Sequence, residues 1–85
     1  IQFEETEGIK ATLTDLIVPY ESAVVGKAIV DIKIPSESLV VLISRDDQFI
    51  IPNGSTAVEG GDVLLVLADH KSLGELQGIL KRMRH

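Results

Sequence analysis

Two short aliphatic segments constrain the fold of this chain more than any other feature of its sequence. Residues 39–44 and 63–68 consist almost entirely of Val, Leu and Ile, and turn-forming residues bound both. Branched aliphatic residues favour strands. An apolar run of this length without polar alternation is typical of a strand buried on both faces. We therefore predict two strands here, of which 39–44 is central and buried on both faces.

The residues between these strands predict a hairpin. Arg45, Asp46 and Asp47 form a polar turn, and residues 49–51 supply a short partner strand. The sequence Pro-Asn-Gly-Ser at 52–55 then has strong turn chemistry. The sheet continues through 63–68 after the Gly-Gly-Asp turn at 60–62.

A further strand is predicted at residues 10–18. Its alternation of apolar and polar residues changes phase near Asp15, which we interpret as a β-bulge. Pro19 ends the strand, because proline cannot donate a ladder hydrogen bond. The sheet therefore has at least four strands.

Apolar spacing predicts a first helix that begins at Ser22 as its N-cap and ends before Pro35. Gly26 inside this helix costs stability, so we expect a close helix-on-sheet contact there. The apolar stripe consists of Val24, Val25, Ala28, Ile29 and Ile32.

A second helix is predicted to begin at a capping box of Ser72 and Glu75. Its apolar stripe consists of Leu73, Leu76, Ile79, Leu80 and Met83, and the basic residues near its end are Lys81, Arg82 and Arg84.

The predicted order is strand, helix, strand, strand, strand, helix. This is an α+β fold with one small, mainly antiparallel or mixed sheet and helices packed on it. Residues 1–9, rich in Glu, are predicted to be a linker or lead-in, and residues 10–85 form the domain. A chain of 85 residues buries only about 60–65% of its unfolded surface, so a homodimer is expected to add burial.

Composition excludes several classes of function. There is no Cys, hence no disulfide framework and no thiolate metal site. A net charge of −5 with two Phe, one Tyr and no Trp disfavours nucleic-acid binding. No apolar run approaches the roughly 20 residues that cross a bilayer, so we expect a soluble domain.

The residues do not predict catalysis. The two histidines, His70 and His85, have no nucleophile beside them in sequence. Asp46, Asp47 and Asp62 are the carboxylates with which a cation site could be argued, but turn chemistry already explains them, so we expect no metal. Gly54, Gly60 and Gly61 lack the pattern of a phosphate loop. The chain is therefore predicted not to be an enzyme.

Five separated blocks nevertheless agree in order and spacing with one family. The blocks are SAVVGKAI (22–29), DIKIP (31–35), LVVLISR (39–45), IIPNGST (50–56) and GDVLLV (61–66). Together they resemble the TrkA C-terminal domain, also called the RCK C-terminal domain, from about Lys10 to Leu80. Within that family the chain resembles the cytoplasmic tail of bacterial potassium/proton antiporters.

The resemblance implies a homodimeric regulatory domain, attached to a transmembrane antiporter domain and lying at the cytoplasmic face of the plasma membrane. No cofactor is certain; regulators known in the family include cyclic di-AMP and divalent cations. The site it implies lies between the loop after the first helix and the hairpin, at Ile34, Pro35, Ser38, Leu39, Pro52 and Asn53.

Two departures from the family qualify this expectation. Cyclic di-AMP readers tend to carry a basic residue or an Asn-His pair in the groove, whereas this chain has Lys33 and Asn53 without such a pair. The glycine-rich dinucleotide-binding fold that often precedes the domain has no counterpart here, which favours an antiporter tail. A purely structural dimerisation domain, or the regulatory domain of another transporter or channel, remains an alternative.

Overall fold

A computed structural model describes residues 10–84, so the predicted lead-in at 1–9 and the candidate His85 lie outside the described residues. The predicted order of elements is confirmed. The elements are β1 (Thr12–Ile17), α1 (Ile29–Ile32), β2 (Ser38–Arg45), β3 (Gln48–Ile50), β4 (Val63–Ala68) and α2 (His70–Lys81).

The four strands form one antiparallel sheet in the order β1-β4-β2-β3. At one end of the sheet Thr12, Ala68 and Ser38 lie in a single row. β2 is an internal strand as predicted, because β4 and the short β3 flank it.

The predicted bulge in the first strand is wrong. β1 pairs with β4 without interruption from Thr12 to Ile17, and the one register shift lies in β2 between Val40 and Leu42. The alternation never changes phase, because the half-buried Thr14 shares the core face with Leu16. A threonine that occupies a core-facing position was misinterpreted as a polar, outward one.

The hairpin between β2 and β3 is confirmed, although Arg45 belongs to β2 and not to the turn. Asp46 and Asp47 both have positive φ angles, 50° and 63°. Two successive residues of this kind make a type I′ turn, whose twist matches that of the strands.

One face of the sheet carries the core. The helix α2 packs on this face through Leu76 and Leu80. The completely buried aliphatic side chains of the core are Val18, Ile43, Val58 and Val66.

The first predicted helix is wrong over most of its length. Only the single turn Ile29–Ile32 is helical, and residues 19–28 form a loop whose amides bond to other segments. The Ala23 N–H donates to the Arg82 carbonyl, and the Gly26 N–H donates to the Val58 carbonyl, both at 2.7 Å. The apolar spacing reflected burial in a loop, not a helical period.

Two details of that prediction also fail. Ser22 caps no helix: it is fully buried, and its hydroxyl accepts a hydrogen bond from the Val24 N–H. Gly26 makes no close packing contact, since a Cβ built there meets nothing within 4 Å. Its φ of +87° is the reason for glycine.

The N-cap of the second helix lies three residues before the predicted cap, Ser72. Asp69 is the N-cap, and its carboxylate accepts from the Ser72 N–H at 2.7 Å. Ser72 is a buried residue inside the helix. Met83 lies beyond the helix and is exposed, whereas the rest of the predicted apolar stripe packs on or in the core.

No element of residues 10–84 covers the second face of the sheet, so within the described residues the prediction that β2 is buried on both faces is wrong. Leu39 is 59% exposed and Val41 is 38% exposed. We call this surface the open face; strand register places on it Leu13, Asp15, Ile17, Leu39, Leu42, Ser44, Phe49, Val63, Leu65 and Leu67. Within residues 10–84, no helix is long and apolar enough to cross a membrane.

Candidate functional site

All six residues that the sequence predicts for a ligand groove line one pocket of about 340 Å³. The pocket lies between the loop after α1, the start of β2 and the turn after β3. The lining residues that sequence reasoning missed are Ile29, Ser36, Val40 and Gly54. Ser36, Val40 and Gly54 come from the same three segments, and Ile29 is the first residue of α1. The spacing of α1 and the turn could have indicated Ile29 and Gly54.

The loop after α1 forms the first wall. Lys33 ends the helix with a left-handed backbone, at a φ of 61°. Ile34 and Pro35 follow, and Ser38 holds the loop by donating from its N–H at 3.1 Å and its hydroxyl at 2.7 Å to the Pro35 carbonyl. The hydroxyl of Ser38 therefore fixes the conformation of the loop that forms this wall.

The turn after β3 forms the second wall. The Asn53 side-chain oxygen accepts from the N–H of Ser55 at 2.9 Å and from its hydroxyl at 2.7 Å. The turn is joined to α1, because the Val30 N–H donates to the Gly54 carbonyl and the Ile29 N–H donates to the Thr56 carbonyl. Both walls thus meet through α1.

The floor of the pocket is the first half of β2. The ladder with β3 covers only the residues Ile43–Arg45 of β2. Among residues 10–84, the segment 38–42 consequently has β4 on one side and no strand on the other. An unpaired strand edge offers backbone donors and acceptors to a ligand.

The chemistry of the pocket is apolar and uncharged, because none of its lining side chains is ionisable. Such a lining suits a flat ring or another apolar group held by a few polar contacts. Lys33 lines a different pocket, with Arg82, on the other side of the Ile34–Pro35 segment. A phosphate in the apolar pocket would therefore need its counter-charge from outside these lining residues.

Within residues 10–84, the carboxylates considered for a cation do not form a cluster of three or more ligating side chains. Asp62 is 1% exposed, and Arg45 contacts both of its oxygens at 2.8 Å. Asp46 and Asp47 are exposed in the hairpin turn. The Asp62 carboxylate is thus committed to an ion pair that sequence reasoning missed, since Arg45 had been assigned to the turn.

Burial acts to raise the pKa of Asp62, but hydrogen bonds from Arg45 and from the Glu59 N–H outweigh it and hold the pKa below its usual range. The same ion pair raises the pKa of Arg45. Arg45 also donates to the Ala57 carbonyl at 2.9 Å, so the pair joins β2 to the segment before β4. This arrangement is structural.

Comparison with known proteins gives a consistent set of similarities. The family model of the TrkA-C domain matches residues 13–81. A Trk system potassium uptake protein trkA homolog 1 of Methanosarcina mazei is 30% identical over 70 residues, which are 82% of this chain and 17% of that protein. The K(+)/H(+) antiporter NhaP2 of Shewanella baltica is 31% identical over 58 residues, which are 68% of this chain and 10% of that protein. The chain thus spans less than a fifth of the length of these relatives.

Among solved structures, the RCK_C domain dimer of S. agalactiae BusR in complex with c-di-AMP superimposes with a TM-score of 0.72 at 21% identity. The match covers 80% of this chain and 93% of that one. A longer BusR chain in complex with promoter DNA is matched over only 35% of its length. At this identity the likeness establishes the fold alone.

Proposed function

This chain belongs to the TrkA-C domain family, and on that premise we propose that it is the ligand-sensing regulatory domain of a potassium transport protein, of which a potassium/proton antiporter is the kind we favour. In this proposal the domain is not an enzyme. It pairs with a second copy, is attached to a transmembrane antiporter domain and lies at the cytoplasmic face of the membrane.

One observation carries the proposal. Six residues separated by up to 19 positions in sequence, from Ile34 to Asn53, converge on one apolar pocket with walls fixed by hydrogen bonds. A preformed concave apolar pocket is the usual form of a small-molecule site. A ligand there regulates an attached transporter if it binds two arrangements of the domain with different affinity.

We propose a nucleotide with an adenine-like ring, of which cyclic di-AMP is the first candidate. The ring fits the apolar lining, and the similar BusR domain was solved with c-di-AMP. Because the pocket has no charged lining residue, the phosphates would lie outside it, at its mouth. Nucleic acid is not proposed as a partner, since the chain carries a net charge of −5.

Calorimetry of the chain with cyclic di-AMP, ATP, NADH and Ca²⁺ tests the sensing function. We expect binding of cyclic di-AMP, which Leu39→Glu abolishes because Leu39 lines the pocket. Val41→Glu is the matched control, because Val41 is an exposed residue of the same strand outside the pocket lining. Absence of binding across the whole panel would remove the sensing function.

A second function is favoured by one specific observation. The hydroxyl of Ser38 and the side-chain oxygen of Asn53 are both used within their own turns, as a purely structural loop requires. The domain would then only hold transporter subunits together. A dimer whose melting temperature none of the four compounds raises would favour this function.

A further inference from the structure

The turn after β3 contains the dipeptide Asn53–Gly54, whose chemistry the proposed function does not use. Asn53 is the only asparagine of the chain, and both residues are exposed to water. An asparagine that precedes glycine can lose ammonia without a catalyst, because the glycine nitrogen attacks the side-chain carbonyl carbon with no side chain in its way. The hydrogen bonds of the turn decide whether the fold favours this reaction.

The side-chain carbonyl of Asn53 is surrounded by donors. Its oxygen accepts from the Ser55 N–H at 2.9 Å and from the Ser55 hydroxyl at 2.7 Å, and the Thr56 hydroxyl lies 3.4 Å away. The N–H of Ser55 can only donate, so the atom that faces it is the oxygen and not the amide nitrogen. Donors in this arrangement polarise the carbonyl and stabilise the oxyanion that forms when a nucleophile adds to its carbon.

The nucleophile of the reaction, the Gly54 nitrogen, has no competing partner. Within residues 10–84 its N–H donates no hydrogen bond, whereas the Gly54 carbonyl accepts from the Val30 N–H at 2.9 Å. On the other side, the Asn53 N–H donates to the Thr56 hydroxyl at 3.0 Å. Both flanks of the reacting peptide are thus fixed, which lowers the entropy that ring closure costs.

We propose that Asn53 is a site of spontaneous deamidation, promoted by the hydrogen bonds of its own turn. The Gly54 nitrogen bonds to the side-chain carbonyl carbon of Asn53 and gives up its proton, and the bond from that carbon to the amide nitrogen breaks. The amide nitrogen leaves as ammonia with that proton, and a cyclic imide remains. Water then adds to either carbonyl of the imide and opens the ring, which leaves aspartate or isoaspartate at position 53. The net reaction consumes water, releases ammonia and involves no oxidation or reduction.

The products change the candidate ligand pocket, because Asn53 lines it. Aspartate places a negative charge in a lining that contains no ionisable side chain. Isoaspartate also adds a methylene group to the backbone of the wall. The reaction itself does not require the proposed function, whereas its effect on an anionic nucleotide rests on that function.

Mass spectrometry of the purified chain during incubation at neutral pH measures the rate at position 53. We expect the folded chain to deamidate about tenfold faster than a peptide of residues 50–56, because the donors of the turn lower the barrier. Ser55→Ala should slow the folded chain about threefold and leave the peptide unchanged, since the hydroxyl has a fixed position only in the fold. Ser55→Thr keeps a hydroxyl and is the matched control, with a rate close to that of the wild type. Ser55 is exposed, so the fold tolerates both changes.

The nucleophile is tested by Gly54→Ala. The added methyl group shields the nitrogen and should slow the reaction about tenfold. The fold accepts it, because a Cβ at this position meets Val30 Cβ at an ordinary 3.6 Å. Gln77, which also precedes a glycine, is the internal control and should stay unmodified, because the Gly78 N–H lies inside α2.

A wild-type rate no faster than that of the peptide, or an equal rate for Ser55→Ala in the folded chain, would overturn the proposal. Asn53→Asp imitates the aspartate product, and in calorimetry with cyclic di-AMP it is expected to raise the dissociation constant. Unchanged binding by this variant would overturn the effect on the ligand. Absence of binding by the wild type would remove the proposed sensing function and leave the deamidation standing.

Discussion

At the scale of single residues, the ion pair of Arg45 and Asp62 joins two segments of the fold. Asp62 accepts hydrogen bonds from Nε and Nη2 of Arg45 and from the Glu59 N–H, and it is almost completely buried. Removal of the carboxylate leaves the Arg45 cation without its partner. The pair therefore makes β2 and the turn before β4 depend on each other.

We expect Asp62→Asn to lower the free energy of unfolding at pH 7 by about 3 kcal/mol, as for other broken buried pairs. Because the folded pKa of Asp62 is lowered, its stabilisation is present above the unfolded value of about 3.9 and is lost as the pH falls through the folded value. Urea unfolding at pH 7 and at pH 3 measures this, and the difference from wild type should shrink at the lower pH.

Asp46→Asn is the control for this variant, because Asp46 is exposed and asparagine tolerates its positive φ. A loss at Asp62 no larger than that at Asp46, or one equal at both pH values, would contradict the role of the pair.

The role of glycines that the backbone requires was harder to predict from sequence than the role of residues that fill the core. Gly60 and Gly61 were correctly predicted to lie in a turn, but the sequence did not indicate why glycine is needed at Gly60. A Cβ on Gly60 would come within 2.9 Å of the Tyr20 Cα. Such a contact joins segments 40 positions apart. Local turn chemistry carries no information about it.

At the scale of elements, the strands were predictable and the helix boundaries were not. The aliphatic runs of β2 and β4 contain nearly all the information needed to place them, because a short apolar run between turns has few other uses. The loop 19–28 has the apolar spacing of a helix, yet its amides bond to Val58 and Arg82. Tertiary hydrogen bonds overrode the local pattern.

Two variants distinguish Asp69 from the predicted capping box of Ser72 and Glu75 as the cap of α2. We expect Asp69→Ala to lower the melting temperature of the protein, because the Ser72 N–H loses its acceptor. In the wild type, the hydrogen bond from the Ser72 N–H also lowers the pKa of Asp69. Glu75→Ala should change stability by less than about 0.5 kcal/mol, since Glu75 is exposed and caps nothing. Thermal unfolding of both variants measures the difference, and the opposite ranking would restore the sequence-predicted capping box.

The candidate site, too, was only partly predictable from the sequence. Sequence order and family resemblance predicted its six residues, and the structure brings them together, although their role in binding stays a prediction. The hydrogen bonds that use up Ser38 and Asn53 could not be predicted, because they depend on the conformation of each turn.

At the scale of the whole molecule, Asp15 is the one ionisable residue of the open face. Pairing of two faces would partly remove its carboxylate from water, which opposes association. A face of this composition without Asp15 would pair more tightly.

We therefore expect Asp15→Leu to strengthen self-association of the chain about tenfold in dissociation constant, which corresponds to about 1.4 kcal/mol. Asp15→Asn should strengthen it less, because the amide keeps its polarity. Sedimentation velocity over a range of concentrations measures both. Unchanged or weaker association of Asp15→Leu would contradict the role of this carboxylate in keeping the open face hydrated.

The row formed by Thr12, Ala68 and Ser38 has a mechanical consequence. Neighbouring strands are about 4.8 Å apart, so the point at which the polypeptide runs into β1 lies about 10 Å from Ser38 in the pocket floor. A tether pulled from the amino-terminal side would load the sheet at the end where the proposed ligand pocket lies. A shift of the pocket floor by about an ångström would then be transmitted to the tether through β4 and β1, without involving the rest of the domain.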